Sequence, residues 1–148
     1  FFTLANVSRT KIESIIRAEI EKYRSRFEGS EEGFIKNWPA SYTIVGWLVS
    51  MESGGNLTAH IHDTGWITGS VYINIPPKSE ADSGNLVLRM SDQKPELGTE
   101  NNHQSSIDLK TGTLCLFPSS LQHYTVPFEV ENQEENRIVL AFDVIPAE

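Results

Sequence analysis

The pattern of apolar and polar positions changes once along the chain, from helical spacing to the alternation typical of strands. Within residues 8–27, six apolar side chains recur three or four positions apart, with charged residues between them: Ile12, Ile15, Ile16, Ile20, Tyr23 and Phe27. Since such positions share one face of a helix, the pattern predicts an amphipathic helix that packs against a sheet. Thr10 and Glu13 fit a capping box near its start.

From residue 42 onward, the chain is typical of short strands separated by turns. The strongest runs of β-branched and aromatic residues are 42–51, 66–75 and 137–145. Weaker strands are predicted at 57–62, 85–90, 106–109, 113–117 and 122–128. Polar loops are predicted at 31–41, 91–105 and 129–136. One helix before many short strands predicts a mainly β fold, a sandwich or barrel with its β core at about 42–145, in a single domain of residues 1–148.

Composition narrows the classes of function. The net charge of −8 argues against nucleic acid as a partner, because phosphate binding needs basic surface. Cys115 is the one cysteine, so an intrachain disulfide is excluded, which fits a reducing compartment. No apolar run approaches the ~20 residues of a membrane span, and no signal peptide is apparent. We therefore expect a cytoplasmic protein with no membrane partner.

Two of the four histidines are separated by one residue in the segment HIHDTGWITGSVY, residues 60–72. On a strand, positions i and i+2 point to the same side, so His60 and His62 would project together, as metal ligands do. His123 follows an apolar strand and a Pro turn, which would deliver a third ligand from a distant strand. The alternative is that all three are polar surface residues, and we expect this for His103 in its polar surroundings.

Two predicted strands each present one face suited to a pocket. On the last strand, this face combines a guanidinium with small side chains: Arg137, Val139, Ala141 and Asp143. An arginine fork matches a carboxylate, although a surface ion pair with Glu134 or Glu135 is the alternative. On the strand after the histidine pair, polar and aromatic residues share a face that would line a pocket or meet solvent: Trp66, Thr68, Ser70, Tyr72 and Asn74.

Three segments together resemble a known family: HIHDTGWITGSVYINIPP, GTLCLFPSSLQHYTVPF and NRIVLAFDV. They resemble the Fe(II)/2-oxoglutarate-dependent oxygenases of the prolyl-hydroxylase-like superfamily, in particular a bacterial and phage branch with His-x-His and Phe-Pro-Ser…His motifs. The resemblance covers about residues 42–145. It implies a double-stranded β-helix, or jelly roll, behind the N-terminal helix. It also implies an oxidoreductase, a dioxygenase of the hydroxylase type that uses Fe(II) and 2-oxoglutarate and releases succinate and CO2.

The resemblance implies a role for each candidate residue. Iron would be bound by His60 and His123, with a third ligand from the segment between His60 and Asp63. Most of the superfamily has His-x-Asp or His-x-Glu, so this chain departs from the pattern. Strand geometry favours His62 as the third ligand and leaves Asp63 as the alternative. Arg137 would pair with the distal carboxylate of 2-oxoglutarate, and Tyr72 would donate a hydrogen bond to it. No catalytic residue beyond the metal ligands is predicted.

Two rival interpretations stay open. The spacing from Gly54 to His60 and from Pro118 to His123 also fits parts of the cupin motifs, which would make the chain a three-histidine metal enzyme. The glutamate that a cupin carries shortly after the histidine pair is missing. The other rival is a sugar-binding or small-molecule-binding module without metal. The substrate would be a small molecule or a peptidyl group, and a homodimer is left open.

Overall fold

The computed structural model describes residues 4–90, 104–130 and 135–147. The elements in chain order are α1 (Leu4–Arg26), α2 (Gly33–Lys36), β1 (Tyr42–Met51), β2 (Leu57–His60), β3 (Ile67–Asn74), β4 (Leu86–Arg89), β5 (Gln104–Ile107), β6 (Leu114–Pro118), β7 (Gln122–Thr125) and β8 (Arg137–Pro146). The chain divides into two compact units. One comprises residues 1–44 with 146–148, and the other comprises residues 45–145.

Helix α1 begins earlier than its apolar pattern indicates. Because it starts at Leu4, Thr10 lies inside the helix, and the predicted capping box is wrong. The Glu13 carboxylate instead accepts hydrogen bonds of 3.0 and 2.8 Å from the Arg17 guanidinium one turn later. No helix in the described part of the chain is long and apolar enough to cross a membrane. The packing of this helix on the sheet stays a prediction.

A one-turn helix, α2, lies in the segment predicted as a loop. It is too short to leave a periodic signal in the sequence. Around it, Phe34 and Trp38 pack edge to face with ring centroids 6.0 Å apart. Tyr23 of α1 lies 6.4 Å from each of these rings, so aromatic contacts hold this connection against the end of α1.

In the described part of the chain, eight strands form two four-stranded sheets, in the orders β1-β8-β3-β6 and β2-β7-β4-β5. β1 therefore pairs with β8, β2 with β7, β3 with β6 and β4 with β5. This is the pairing expected for a double-stranded β-helix. The ladders β2–β7, β3–β6, β3–β8, β4–β5 and β4–β7 are antiparallel. The predicted fold class is confirmed: the described residues are mainly β, with two antiparallel sheets after the long N-terminal helix α1.

The core of the β unit draws on both sheets. Tyr72, Phe117 and Val139 come from the first sheet and Leu86 comes from the second, all of them buried. On the opposite face of β8, the ring of Phe142 is fully buried where the neighbouring strand has Gly69. A Cβ at Gly69 would collide with this ring, so glycine leaves the space that the Phe142 ring occupies. The two faces of β8 thus separate a packed apolar side from the side that carries Arg137.

Candidate active site

The structure brings together the three histidines that were predicted as metal ligands. His60 ends β2 and lies directly opposite His123 of β7. His62 lies beyond the end of β2, so the strand predicted to reach it is two residues too long. Its backbone N–H still donates a 3.1 Å hydrogen bond to the carbonyl oxygen of Ser119. The candidate ligand nitrogens of the three histidines all lie within 4.8 Å of one another.

Hydrogen bonds set the same tautomer in all three rings. The Nδ1 atoms of His60 and His123 lie 2.7 and 3.1 Å from the carbonyl oxygen two residues earlier in the chain. Nδ1 of His62 lies 2.7 and 2.8 Å from the two carboxylate oxygens of Asp143. Because these oxygens can only accept, each Nδ1 carries the proton and each Nε2 keeps its lone pair. Three Nε2 lone pairs are therefore available to bind a metal ion.

Three buried polar side chains, those of Asp143, Thr68 and Ser119, are linked to His62 by hydrogen bonds. The hydroxyl of Thr68 lies 2.8 Å from a carboxylate oxygen of Asp143 and 2.9 Å from the hydroxyl of Ser119. Since one hydroxyl has one proton, Thr68 donates to the carboxylate and accepts from Ser119. Sequence reasoning placed Asp143 on the face of Arg137 but gave it no role. The signal that could have found it is the same alternation along β8.

The environment of His123 favours the form that binds metal. Its side chain is buried, and its ring packs edge to face on Phe117 at 4.9 Å. Burial lowers the pKa of His123 to about 4, and the neighbouring rings of His60 and His62 act in the same direction. The imidazole is therefore neutral at physiological pH, as a metal ligand must be.

Two other candidates do not join this group. Asp63, the alternative third ligand, is exposed to solvent, and the three-histidine group does not include it. His103, expected to be a surface residue, lies outside the described residues. Among the residues that the structure describes, the potential metal ligands here are thus nitrogens alone.

Arg137 is buried, although a surface ion pair was the alternative from the sequence. Its side chain is only 3% exposed and lies between the rings of Tyr72 and Phe128, whose centroids are 5.5 and 5.7 Å from the guanidinium carbon. Nη1 donates to the backbone oxygen of Gly84, but buried Nε has no acceptor in the described part of the chain. The guanidinium therefore keeps an unused donor in a dry environment, as expected of a site for a carboxylate.

No described carboxylate forms an ion pair with Arg137. Glu135, one of the two predicted partners, is exposed and is not paired with it, whereas Glu134 lies outside the described residues. Gly84 has a positive φ of 70°, and a Cβ there would lie 2.5 Å from Nη1 of Arg137. Glycine at this position thus leaves the space that the guanidinium occupies.

Tyr72 is a hydrogen-bond donor within the same region. It is 2% exposed, and burial raises the pKa of its phenol to about 12, although the charge of Arg137 opposes this rise. The hydroxyl therefore keeps its proton at physiological pH. A protonated phenol beside a guanidinium can donate to an anionic group.

The histidines and Arg137 face one cavity of about 140 Å³ in the β unit. The predicted pocket faces contribute Thr68, Ser70 and Tyr72 from β3, and Arg137, Val139 and Ala141 from β8. Trp66, which precedes β3, and Asn74, which ends it, were predicted to share this face but do not line the cavity. The remaining wall is largely apolar: Trp47, Val49, Met51, Leu57, Leu86 and Phe117 among others. The three histidines and the buried guanidinium of Arg137 thus share one mainly apolar enclosure.

This combination of fold and cavity defines a class of protein. A family model described as 2OG-Fe(II) oxygenase matches residues 46–143, about two thirds of the chain. The chain therefore belongs to the 2OG-Fe(II) oxygenase family, a class of oxidoreductases whose cofactor is Fe(II) and whose cosubstrate is 2-oxoglutarate. The predicted family is confirmed, and the enzyme class and cofactors predicted for the chain are those of this family.

Solved structures share the fold at low sequence identity. A prolyl-4-hydroxylase from Pseudomonas putida is 16% identical, with a TM-score of 0.53 over 71% of this chain and 52% of that one. An oxidoreductase of the 2OG-Fe(II) oxygenase family from Burkholderia pseudomallei is 14% identical, with a TM-score of 0.53 over 90% of this chain and 55% of that one. The chain thus spans about half the length of these proteins. No curated protein matches it.

Proposed function

We propose that this protein is a non-haem Fe(II)- and 2-oxoglutarate-dependent dioxygenase of the hydroxylase type. It would oxidise a substrate C–H bond to C–OH, with conversion of 2-oxoglutarate and O2 to succinate and CO2. One observation carries the proposal: three Nε2 lone pairs and a buried, incompletely paired arginine face the same cavity. The first set suits a metal ion and the second suits the carboxylate of a cosubstrate.

The residues of the site fit Fe(II). His60, His62 and His123 would bind it through Nε2, and three protein ligands leave positions open for a 2-oxo acid and for O2. When bound, the metal supplies the activation of O2 that drives oxidative decarboxylation and C–H oxidation. The protein binds and orients the reactants and excludes bulk water, and the apolar cavity wall performs the last of these tasks.

Arg137 and Tyr72 would hold the distal carboxylate of 2-oxoglutarate. The free Nε–H of Arg137 and the phenol of Tyr72 are both donors, and both side chains are almost fully buried. Charge-assisted hydrogen bonds are stronger where water is excluded. The cosubstrate would then extend from the arginine end of the cavity towards the histidines, where its 2-oxo acid group can reach the metal.

Family membership and Arg137 favour the oxygenase over the cupin. A cupin also offers three histidines within a β-barrel, but it does not require a buried arginine in the same cavity. A binding module without metal does not account for three histidines that share one tautomer.

Anaerobic calorimetry tests the proposal. Fe(II) is titrated into the chain with and without 2-oxoglutarate, and we expect saturable metal binding together with tighter 2-oxoglutarate binding in the presence of metal. His123→Ala should abolish metal binding, whereas His103→Ala, which removes the histidine predicted from the sequence to be a surface residue, should retain it. Metal binding indifferent to 2-oxoglutarate would support the cupin, and absence of metal binding would support the binding module.

Turnover identifies the substrate class. Succinate release from 2-oxoglutarate is measured with small-molecule and peptidyl candidates, and a substrate should raise it above the basal rate. Three predictions from the sequence are untested: a cytoplasmic location, no nucleic-acid or membrane partner, and a possible homodimer.

A further inference from the structure

We infer that Asp143 is a positioning residue of the metal centre. It holds the ring of His62 and supplies, one imidazole away from the metal, the negative charge that three neutral histidines lack. This inference rests on the proposed function, because it requires a metal ion bound by the three histidines. Asp143 itself is not among the ligands.

His62 depends on Asp143 more than the other two histidines depend on any side chain. His60 and His123 lie opposite each other in the β2–β7 ladder, and each ring bonds to a backbone oxygen of its own segment. His62 lies outside any strand, and its Nδ1 contacts both carboxylate oxygens of Asp143, at 2.7 and 2.8 Å. The carboxylate therefore sets both the tautomer and the direction of Nε2, as hydrogen-bond partners of metal-bound histidines do.

Asp143 is itself held firmly. Thr68 lies directly opposite it in the β3–β8 ladder and donates a 2.8 Å hydrogen bond to its carboxylate. Ser119 supports Thr68 from behind, and both hydroxyl residues are buried. A Cβ at Gly65 would collide with the Ser119 hydroxyl, so this row of side chains is packed closely on that side too. The carboxylate is thus anchored before any metal binds.

The negative charge of Asp143 also supports its role at the metal centre. Its side chain is 12% exposed, and among the described residues its carboxylate contacts His62 and Thr68, with no lysine or arginine within ion-pair distance. A buried carboxylate without a cation is costly. A dication bound at Nε2 of His62 would balance this charge through the ring. In the usual iron site of this kind, a carboxylate binds the metal directly.

Two substitutions separate position from charge. Asp143→Asn keeps an oxygen that accepts from His62 Nδ1 and removes the charge, whereas Asp143→Ala removes both. The full chain is titrated calorimetrically with Mn(II) and Co(II), which serve as probes that resist oxidation. We expect both variants to bind 10- to 100-fold more weakly, the range found for the partners of metal-bound histidines. Glu52→Gln makes the same charge change at an exposed turn and should bind as the wild type does.

Measurements without metal distinguish positioning from a purely structural effect. The Nδ1 proton of His62 should give a downfield NMR resonance that persists in Asp143→Asn and disappears in Asp143→Ala. The melting temperature of metal-free Asp143→Asn should stay close to that of the wild type. This variant keeps the test valid even if Asp143→Ala does not fold.

The outcomes are distinguishable. If the wild type binds neither probe ion, the proposed function itself fails. If the wild type binds and His123→Ala does not, wild-type affinity in both Asp143 variants would overturn the inference. Wild-type affinity in Asp143→Asn alone would overturn the role of the charge. A persistent His62 resonance in Asp143→Ala would overturn the positioning role.

Discussion

Replacement of Arg137 by lysine gives the sharpest test of the proposal that this residue binds the carboxylate of 2-oxoglutarate. Lysine retains the positive charge, and its ammonium group can still donate to the carbonyl oxygen of Gly84, as Nη1 of Arg137 does. It lacks the planar fork and the Nε–H, which is the buried donor without an acceptor in the described chain. The substitution therefore removes the donor assigned to 2-oxoglutarate while it preserves most of the surrounding electrostatics.

The expected loss corresponds to one buried, charge-assisted hydrogen bond. Such a bond contributes about 1.5–3 kcal/mol, so 2-oxoglutarate should bind roughly 10- to 150-fold more weakly. Calorimetric titration of 2-oxoglutarate into the protein loaded with Fe(II) under nitrogen measures this loss. Metal affinity should not change, because Arg137 does not belong to the histidine group.

The control makes the same chemical change at an exposed position. Arg9 lies on the exposed surface of α1, and Arg9→Lys should bind 2-oxoglutarate as the wild type does. A folded Arg137→Lys with wild-type affinity for 2-oxoglutarate would refute the assignment of this arginine. A parallel loss of metal affinity would refute the separation of the two ends of the cavity.

Three further predictions address other parts of the site. Because the pKa of His123 is lower in the folded protein than in the unfolded chain, this histidine is protonated in the unfolded chain first as the pH falls. The free energy of unfolding of the metal-free protein should therefore decrease by up to about 3 kcal/mol between pH 6.5 and 4. Urea unfolding measures this decrease, and an equal decrease in His123→Asn would contradict its assignment to His123. Gly84→Ala should weaken 2-oxoglutarate binding, because the new Cβ would collide with the Arg137 guanidinium. Gly112 has a similar positive φ but no neighbouring atom near its Cβ position, so Gly112→Ala should affect stability alone. Equal affinities for 2-oxoglutarate in these two variants would contradict the proposed effect of the Gly84 contact. Asp63→Asn should leave calorimetric metal affinity unchanged because Asp63 is exposed, and abolished binding would restore it as a ligand.

The elements of the fold follow largely from periodicity. The strand predicted at 42–51 coincides with β1, and the last predicted strand differs from β8 by one residue. Long runs of β-branched and aromatic residues mark these strands because the signal accumulates over many positions. The start of α1 and the single turn of α2 were not predicted, since the ends of elements and very short elements depend on contacts more than on local pattern.

The sequence by itself determined which residue types could perform the chemistry and the order in which they occur. The alternation along β8 placed Arg137 and Asp143 on one face, and the His-x-His spacing singled out His60 and His62. Only the tertiary structure decided what these residues contact. The carboxylate beside His62 lies 81 positions away in the chain, and the oxygen that binds Arg137 belongs to Gly84, 53 positions away. Such contacts arise from the way the loops before and after the strands pack against β8, which local spacing along the chain does not encode.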